Sequence, residues 1–68
     1  KLKIKFNERM VVFLNDQYDQ ILNNHKLHGE YDGFRSININ SDIRVVYKRL
    51  SEEETLLYRI GTHSELYD

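Results

Sequence analysis

The sequence predicts an α+β fold, one main helix packed on a three-stranded antiparallel β-meander. Two observations carry that prediction. Residues 1–16 hold an apolar stripe at helical spacing with no Gly or Pro to interrupt it. Residues 34–61 hold three runs rich in apolar and aromatic side chains, separated by two short polar clusters.

The helix comes first. Leu2, Phe6, Met10, Phe13 and Leu14 fall on one stripe, with Ile4 and Val11 at its edge. Residues 1–6 also alternate polar and apolar, which is strand periodicity. The unbroken stripe favours a single helix over residues 3–16 rather than a strand followed by a helix. Asn15, Asp16, Asp19, Asn23 and Asn24 then crowd a stretch where short polar side chains compete for backbone groups. Residues 17–33 therefore read as a connection, pinned to the core by Tyr18, Ile21, Leu22 and Leu27.

The strands follow. In residues 34–40, Ile37 and Ile39 share one face, with Ser36, Asn38 and Asn40 on the other. Asn40-Ser41-Asp42 is a turn cluster. Residues 43–50 form the second strand, Ser51-Glu52-Glu53-Glu54 the second turn and residues 55–61 the third strand. Connections this short make neighbouring strands antiparallel, because a parallel pair needs a long crossover.

The 68 residues make one domain, residues 1–68, with a small core. There is no cysteine, so neither disulfides nor thiolate zinc sites can brace it, which suits a reducing cytoplasm. No apolar run approaches the roughly 20 residues that cross a bilayer. The expectation is a soluble, cytoplasmic chain with no membrane attachment. Net charge is −1, from 10 basic and 11 acidic side chains, so any nucleic-acid site must be a local basic patch. A Gly-rich phosphate loop, a nucleophilic serine or cysteine motif and a zinc signature are all lacking, and no cofactor is implied.

Candidate chemistry rests on a few residues. His25, His28 and His63 can exchange protons near neutral pH, although loop histidines are more often simply solvated. A metal site built from the three has only a weak spacing signal and is rejected. Arg35 and Arg44 flank one hairpin, where paired guanidinium donors suit a phosphate; ordinary cross-strand pairing with Asp42 or Glu30 is the plainer alternative. Lys48 and Arg59 add positive charge to the strands. Tyr31, Phe34, Tyr47, Tyr58 and Tyr67 offer stacking surfaces, most of them more at home in a core; Tyr67 is the least so.

The runs Asn24-His25-Lys26-Leu27-His28-Gly29, Gly33-Phe34-Arg35-Ser36-Ile37-Asn38-Ile39, Asp42-Ile43-Arg44-Val45-Val46-Tyr47 and Ile60-Gly61-Thr62-His63-Ser64-Glu65-Leu66-Tyr67 resemble the YafQ branch of the RelE toxin family. The likeness covers residues 23–68 in order, and Gly61-Thr62-His63 with the following Leu66-Tyr67 is its most specific piece. It implies a RelE-like toxin that cleaves mRNA on the ribosome and is neutralised by a cognate antitoxin. In such toxins the RNA 2′-hydroxyl attacks the adjacent phosphate without a metal. The resemblance makes His63 and His25 the active-site histidines, Asp42 a further acid–base or orienting group, and Arg44 a phosphate-stabilising arginine. It makes Tyr67 the terminal aromatic that holds substrate; Arg35 and Lys48, from their places on the strands, are further candidate substrate contacts.

Two departures from the pattern bear on function. Ser36 and Asn38 stand where the YafQ pattern has an aspartate and a histidine. Relatives also carry a strand and a helix ahead of the helix seen here, so this N-terminally shortened, partial domain is expected to expose apolar surface. It should associate with an antitoxin segment, a second copy as a homo-oligomer, or a missing N-terminal piece. The alternative function is a truncated or degenerate toxin that binds antitoxin without cleaving RNA. The gyrase-poisoning branch, which shares the fold, is disfavoured by Gly61-Thr62-His63.

Overall fold

A computed structural model describes residues 1–67. Helix α1 spans Leu2–Asn15, one residue earlier than the apolar stripe suggests. It ends where Asp16 turns extended and its N–H donates to the Val12 carbonyl at 2.8 Å. Asp16 Oδ1 then accepts from the Tyr18 N–H and Asp19 Oδ1 from the Ile21 N–H, each at 3.0 Å. These local bonds explain why the helix stops: the carboxylates give the backbone a competing partner.

The connection is more ordered than a plain loop. It holds 3-10 turns at Gln20–Leu22 and Gly29–Tyr31 and a two-residue strand between them, β1 (His25–Lys26). Strands β2 (Arg35–Asn38), β3 (Ile43–Arg49) and β4 (Thr55–Thr62) form the expected meander, and β1 extends it to a four-stranded antiparallel sheet in the order β1-β2-β3-β4. A short helix, α2 (His63–Tyr67), closes the described chain. Asn40 builds the first hairpin turn, its Oδ1 accepting from the N–H groups of Asp42 and Ile43 at 2.8 Å each. Ser51 Oγ does the same for Glu53 and Glu54 in the second.

The sheet has two unlike faces. On one, α1 lays Phe13, Phe6 and Met10 against Leu22, Ile37, Ile39, Val45 and Tyr47. The opposite face is covered only in part, by Tyr31 and Leu66 over Val46, with Leu27, Phe34 and Tyr67 at the margin. Alternation along β2 and β3 sends Ser36, Asn38, Arg44 and Lys48 to this second face. A β-bulge in β4 interrupts the alternation there: Val46 pairs with Arg59 and Tyr47 with Leu57, leaving Tyr58 unopposed. The extra residue turns Tyr58 onto the second face, where its ring lies 5.0 Å from that of Phe34.

The predicted stripe is only partly covered. Leu14 is 79% exposed and Ile4 66%, because the sheet reaches only the Phe6–Met10–Phe13 side of α1. Leu2 and Phe6 line an apolar groove of about 630 Å³ against Leu57 and Ile60 of β4, one of the two edge strands of the described sheet. No described helix is long and apolar enough to cross a membrane.

One polar network closes the helix-covered face. Tyr47 is fully buried, with its ring edge-on to Phe13 at 4.9 Å. Its hydroxyl donates to Gln17 Oε1 at 3.2 Å and accepts from Asn24 Nδ2, while Arg35 Nε donates to Asn24 Oδ1 at 2.6 Å. Burial pushes the Tyr47 pKa above its ordinary 10.0, against the lowering effects of Asn24 and Arg35. The folded state thus favours the neutral phenol. That stabilisation is fully present below the unfolded pKa and is lost as pH rises through the higher folded value. Tyr47→Phe is expected to flatten this alkaline loss, as read from urea midpoints at neutral and strongly alkaline pH. At neutral pH the same change costs about 1–3 kcal/mol, because the Asn24 amide loses one of its two acceptors and Gln17 Oε1 loses its donor.

Candidate functional site

The second face carries the chemistry, and α2 is its organising element. Five residues are too few to hold a helix by themselves, since nucleation is unfavourable. Tertiary bonds hold it instead. At its start Thr62 Oγ1 accepts from the Glu65 N–H at 3.1 Å, and Glu65 Oε1 accepts from the Thr62 N–H at 2.8 Å. At its end the Tyr31 hydroxyl donates to the Leu66 carbonyl at 2.9 Å, and Leu66 is buried. Arg59 Nη1 donates to Tyr31 Oη at 2.7 Å and joins the two ends through a 3.4 Å bond from Nη2 to the Glu65 carbonyl. His63 and Tyr67, four residues apart, present their rings together with centroids 4.8 Å apart.

Three of the four predicted catalytic residues meet in one place. Asp42, Arg44 and His63 line a hollow of about 500 Å³, together with Asn40, Ser41 and Ser64. Arg44 Nη1 donates to the Asp42 main-chain carbonyl at 3.2 Å, so cation and carboxylate residue sit side by side. Asn38 lies opposite Arg44 in the β2–β3 register. A second hollow of about 350 Å³, on the other side of α2, is lined by His28, Tyr31, Arg59, Glu65 and Tyr67.

His25 stands apart. It pairs with Ser36 on the edge strand, across the sheet from β4 by three strand spacings, roughly 14 Å. Its Nδ1 lies 2.9 Å from the Asn23 carbonyl. A carbonyl can only accept, so Nδ1 donates this bond. Among the described residues no three His, Asp or Glu side chains gather closely enough to hold a metal ion.

The substrate-contact candidates divide between the faces. Lys48 stays on the site face, with Nζ 5.5 Å from the centre of the Phe34 ring. Tyr67 packs edge-on to Tyr31 at 5.7 Å. Arg35 does not join them. Its register partner is Tyr47, which puts it on the helix-covered face, bonded to Asn24 and stacked 5.4 Å over Tyr18. The Arg35–Arg44 phosphate clamp is therefore not formed: the two guanidinium groups lie on opposite sides of the sheet.

Three buried polar atoms have no hydrogen-bond partner among the described residues: Ser36 Oγ, Asn38 Oδ1 and Tyr67 Oη. All three belong to the face that carries His63 and Arg44. Burying such atoms unpaired costs about 1–3 kcal/mol each. Sequence reasoning missed the Arg59–Tyr31 link, because the bulge that fixes the placing of Arg59 leaves no mark in the alternation. It also missed the Thr62–Glu65 pair, although Thr-x-x-Glu is a readable helix-start signal.

These features fit what comparison with known proteins finds. No curated protein matches the chain. Among solved structures it is similar to Escherichia coli YafQ, with a TM-score of 0.80 and 22% identity over 97% of this chain and 74% of that one. It is similar to the E. coli DinJ–YafQ toxin–antitoxin complex, with a TM-score of 0.75 and 25% identity over 97% and 74%. It is also similar to a copper-bound mutant toxin from Helicobacter pylori, with a TM-score of 0.70 and 32% identity over 93% and 72%. The family model for YafQ, the bacterial toxin of type II toxin–antitoxin systems, matches residues 3–68. The chain belongs to the YafQ family of type II toxin–antitoxin toxins.

Proposed function

We propose that the chain is a ribosome-dependent mRNA endonuclease that an antitoxin protein neutralises. The observation that carries this reading is the shared hollow of His63, Asp42 and Arg44, set beside the unpartnered Asn38 Oδ1. Strand scission by an internal nucleophile asks for an acceptor for the 2′-proton, a donor for the 5′-oxygen and a cation at the phosphate. In the proposed step the 2′-oxygen bonds to phosphorus and its proton passes to the Asp42 carboxylate. The phosphorus–5′-oxygen bond breaks, and the leaving oxygen takes a proton from the His63 imidazolium. The products are a 2′,3′-cyclic phosphate and a 5′-hydroxyl, and the two side chains re-equilibrate with water. Arg44 offsets charge on the phosphorane. Tyr67, against the His63 ring, supports the adjoining nucleotide, while Lys48 and His25 contact the backbone farther along the face.

The antitoxin reading draws support from the DinJ–YafQ complex, a toxin–antitoxin assembly of the same fold. An acidic antitoxin segment laid over Arg44, Lys48 and Arg59 would compete with RNA for the same charges. The groove between α1 and β4 is the second surface open to a partner. The isolated chain is expected to scatter light as a species larger than its 8.2 kDa monomer, and Ile60→Asp to restore the monomer. A monodisperse wild-type monomer would refute that expectation.

The alternative is a degenerate toxin that binds antitoxin without cutting, favoured by Ser36 and Asn38 in place of an aspartate and a histidine. The deciding experiment incubates the antitoxin-free chain with ribosomes carrying a defined mRNA and maps new ends by primer extension. Codon-phased cuts that require the ribosome support the nuclease. An absence of cuts from a chain that still binds its antitoxin supports the alternative.

A further inference from the structure

We infer that Thr62 and Glu65 are positioning residues for His63, acting as a reciprocal clamp on the first turn of α2; this inference rests on the nuclease reading of His63. The clamp encloses the residue it serves. Thr62 precedes His63 directly, Glu65 follows it by two, and both bonds run between these flanking residues over one turn of backbone. Each partner gives the other what a helix start lacks, an acceptor for an otherwise orphaned N–H. His63 consequently occupies the first helical position with its ring against Tyr67.

A second observation shows that the packing around the clamp is tight. A Cβ placed on Gly61 would lie 3.0 Å from Glu65 Oε1 and 3.3 Å from Glu65 Cβ. A side chain at position 61 would therefore crowd the carboxylate that accepts from the Thr62 N–H. The same short stretch supplies the space, the clamp and the histidine. Thr62 also borders the hollow of Asp42, Arg44 and His63 whereas Glu65 does not, and the effect common to both passes through the placing of the imidazole.

The test uses the whole chain and four variants, with two readouts. In the ribosome cleavage assay Glu65→Ala and Thr62→Val are expected to lower kcat by roughly 10²-fold with KM unchanged, the signature of a displaced catalytic group. Glu65→Gln and Thr62→Ser are expected to stay within about threefold of the wild type, because an amide oxygen and a serine hydroxyl accept the same bonds. By NMR the His63 ring protons, shifted by the Tyr67 ring, are expected to move toward random-coil values in Glu65→Ala and Thr62→Val only.

Full kcat in Glu65→Ala, from a chain whose wild type cleaves, would overturn the inference. Equal damage in Glu65→Gln would also overturn it, since charge rather than the clamp would then be acting. If the wild type cuts nothing, the nuclease reading fails and the NMR arm still decides: unmoved His63 resonances in Glu65→Ala refute the clamp, and displaced ones support it.

Discussion

His63→Ala is expected to lower ribosome-dependent cleavage by roughly 10²- to 10⁴-fold while leaving antitoxin binding and the fold intact. The magnitude follows from the geometry proposed above. His63 is the histidine of the hollow that also holds Asp42 and Arg44, so removing it takes away the proton donor while the phosphate-binding cation remains. Its ring is half-wrapped by an exposed helix start rather than buried in a core, so little stability is lost with it. His25→Ala is expected to be milder, since that ring belongs to the opposite edge of the sheet. Single-turnover cleavage of a ribosome-bound message, with each variant's circular dichroism spectrum as a control, measures both. Undiminished cleavage by the His63→Ala protein would remove the central residue of the proposed mechanism.

Much of this site could be read from residue order, because sheet faces follow a period of two. Ser36 and Asn38 were separable from Ile37 and Ile39 by alternation alone, and the structure puts the isoleucines under α1 and the polar pair on the second face. The same rule already linked Arg35 to the face of Ile37. The register that opposes Arg35 to Tyr47 and Asn38 to Arg44, and so separates the two arginines, is a property of the folded pair of strands. Strand β1 was out of reach for a different reason. Two residues show no periodicity, and His25–Lys26 become a strand only because β2 offers them an edge. The bulge at Tyr58 likewise arises between strands, and with it the placing of Arg59 against Tyr31. Helix α1 was legible in extent and less so in orientation. Its apolar side chains span more of the surface than the sheet covers, so periodicity could not tell Phe13, which is buried, from Leu14, which is not.

The second large effect concerns stability and sets two neighbours against each other. Ile37 and Ser36 are adjacent in β2 and both fully buried, on opposite faces of the sheet. Ile37 faces Val45 across the β2–β3 ladder and packs in the cluster with Phe13 and Leu22. Ile37→Ala is expected to cost about 2–5 kcal/mol, from lost burial and the cavity left behind. A domain this small has roughly 3–5 kcal/mol of net stability, so that single change is expected to leave it largely unfolded at 37 °C by circular dichroism. Ser36→Ala is expected to go the other way. Ser36 Oγ is buried without a partner, so deleting it removes an unpaired polar atom and leaves the sheet as stable as before or more so. Ser36 Oγ is sealed from solvent, so Ser36→Ala is expected to leave binding of ribosome-loaded mRNA unchanged, with the urea midpoint unchanged or higher. Loss of stability in Ser36→Ala would mean instead that the hydroxyl bonds something within the fold.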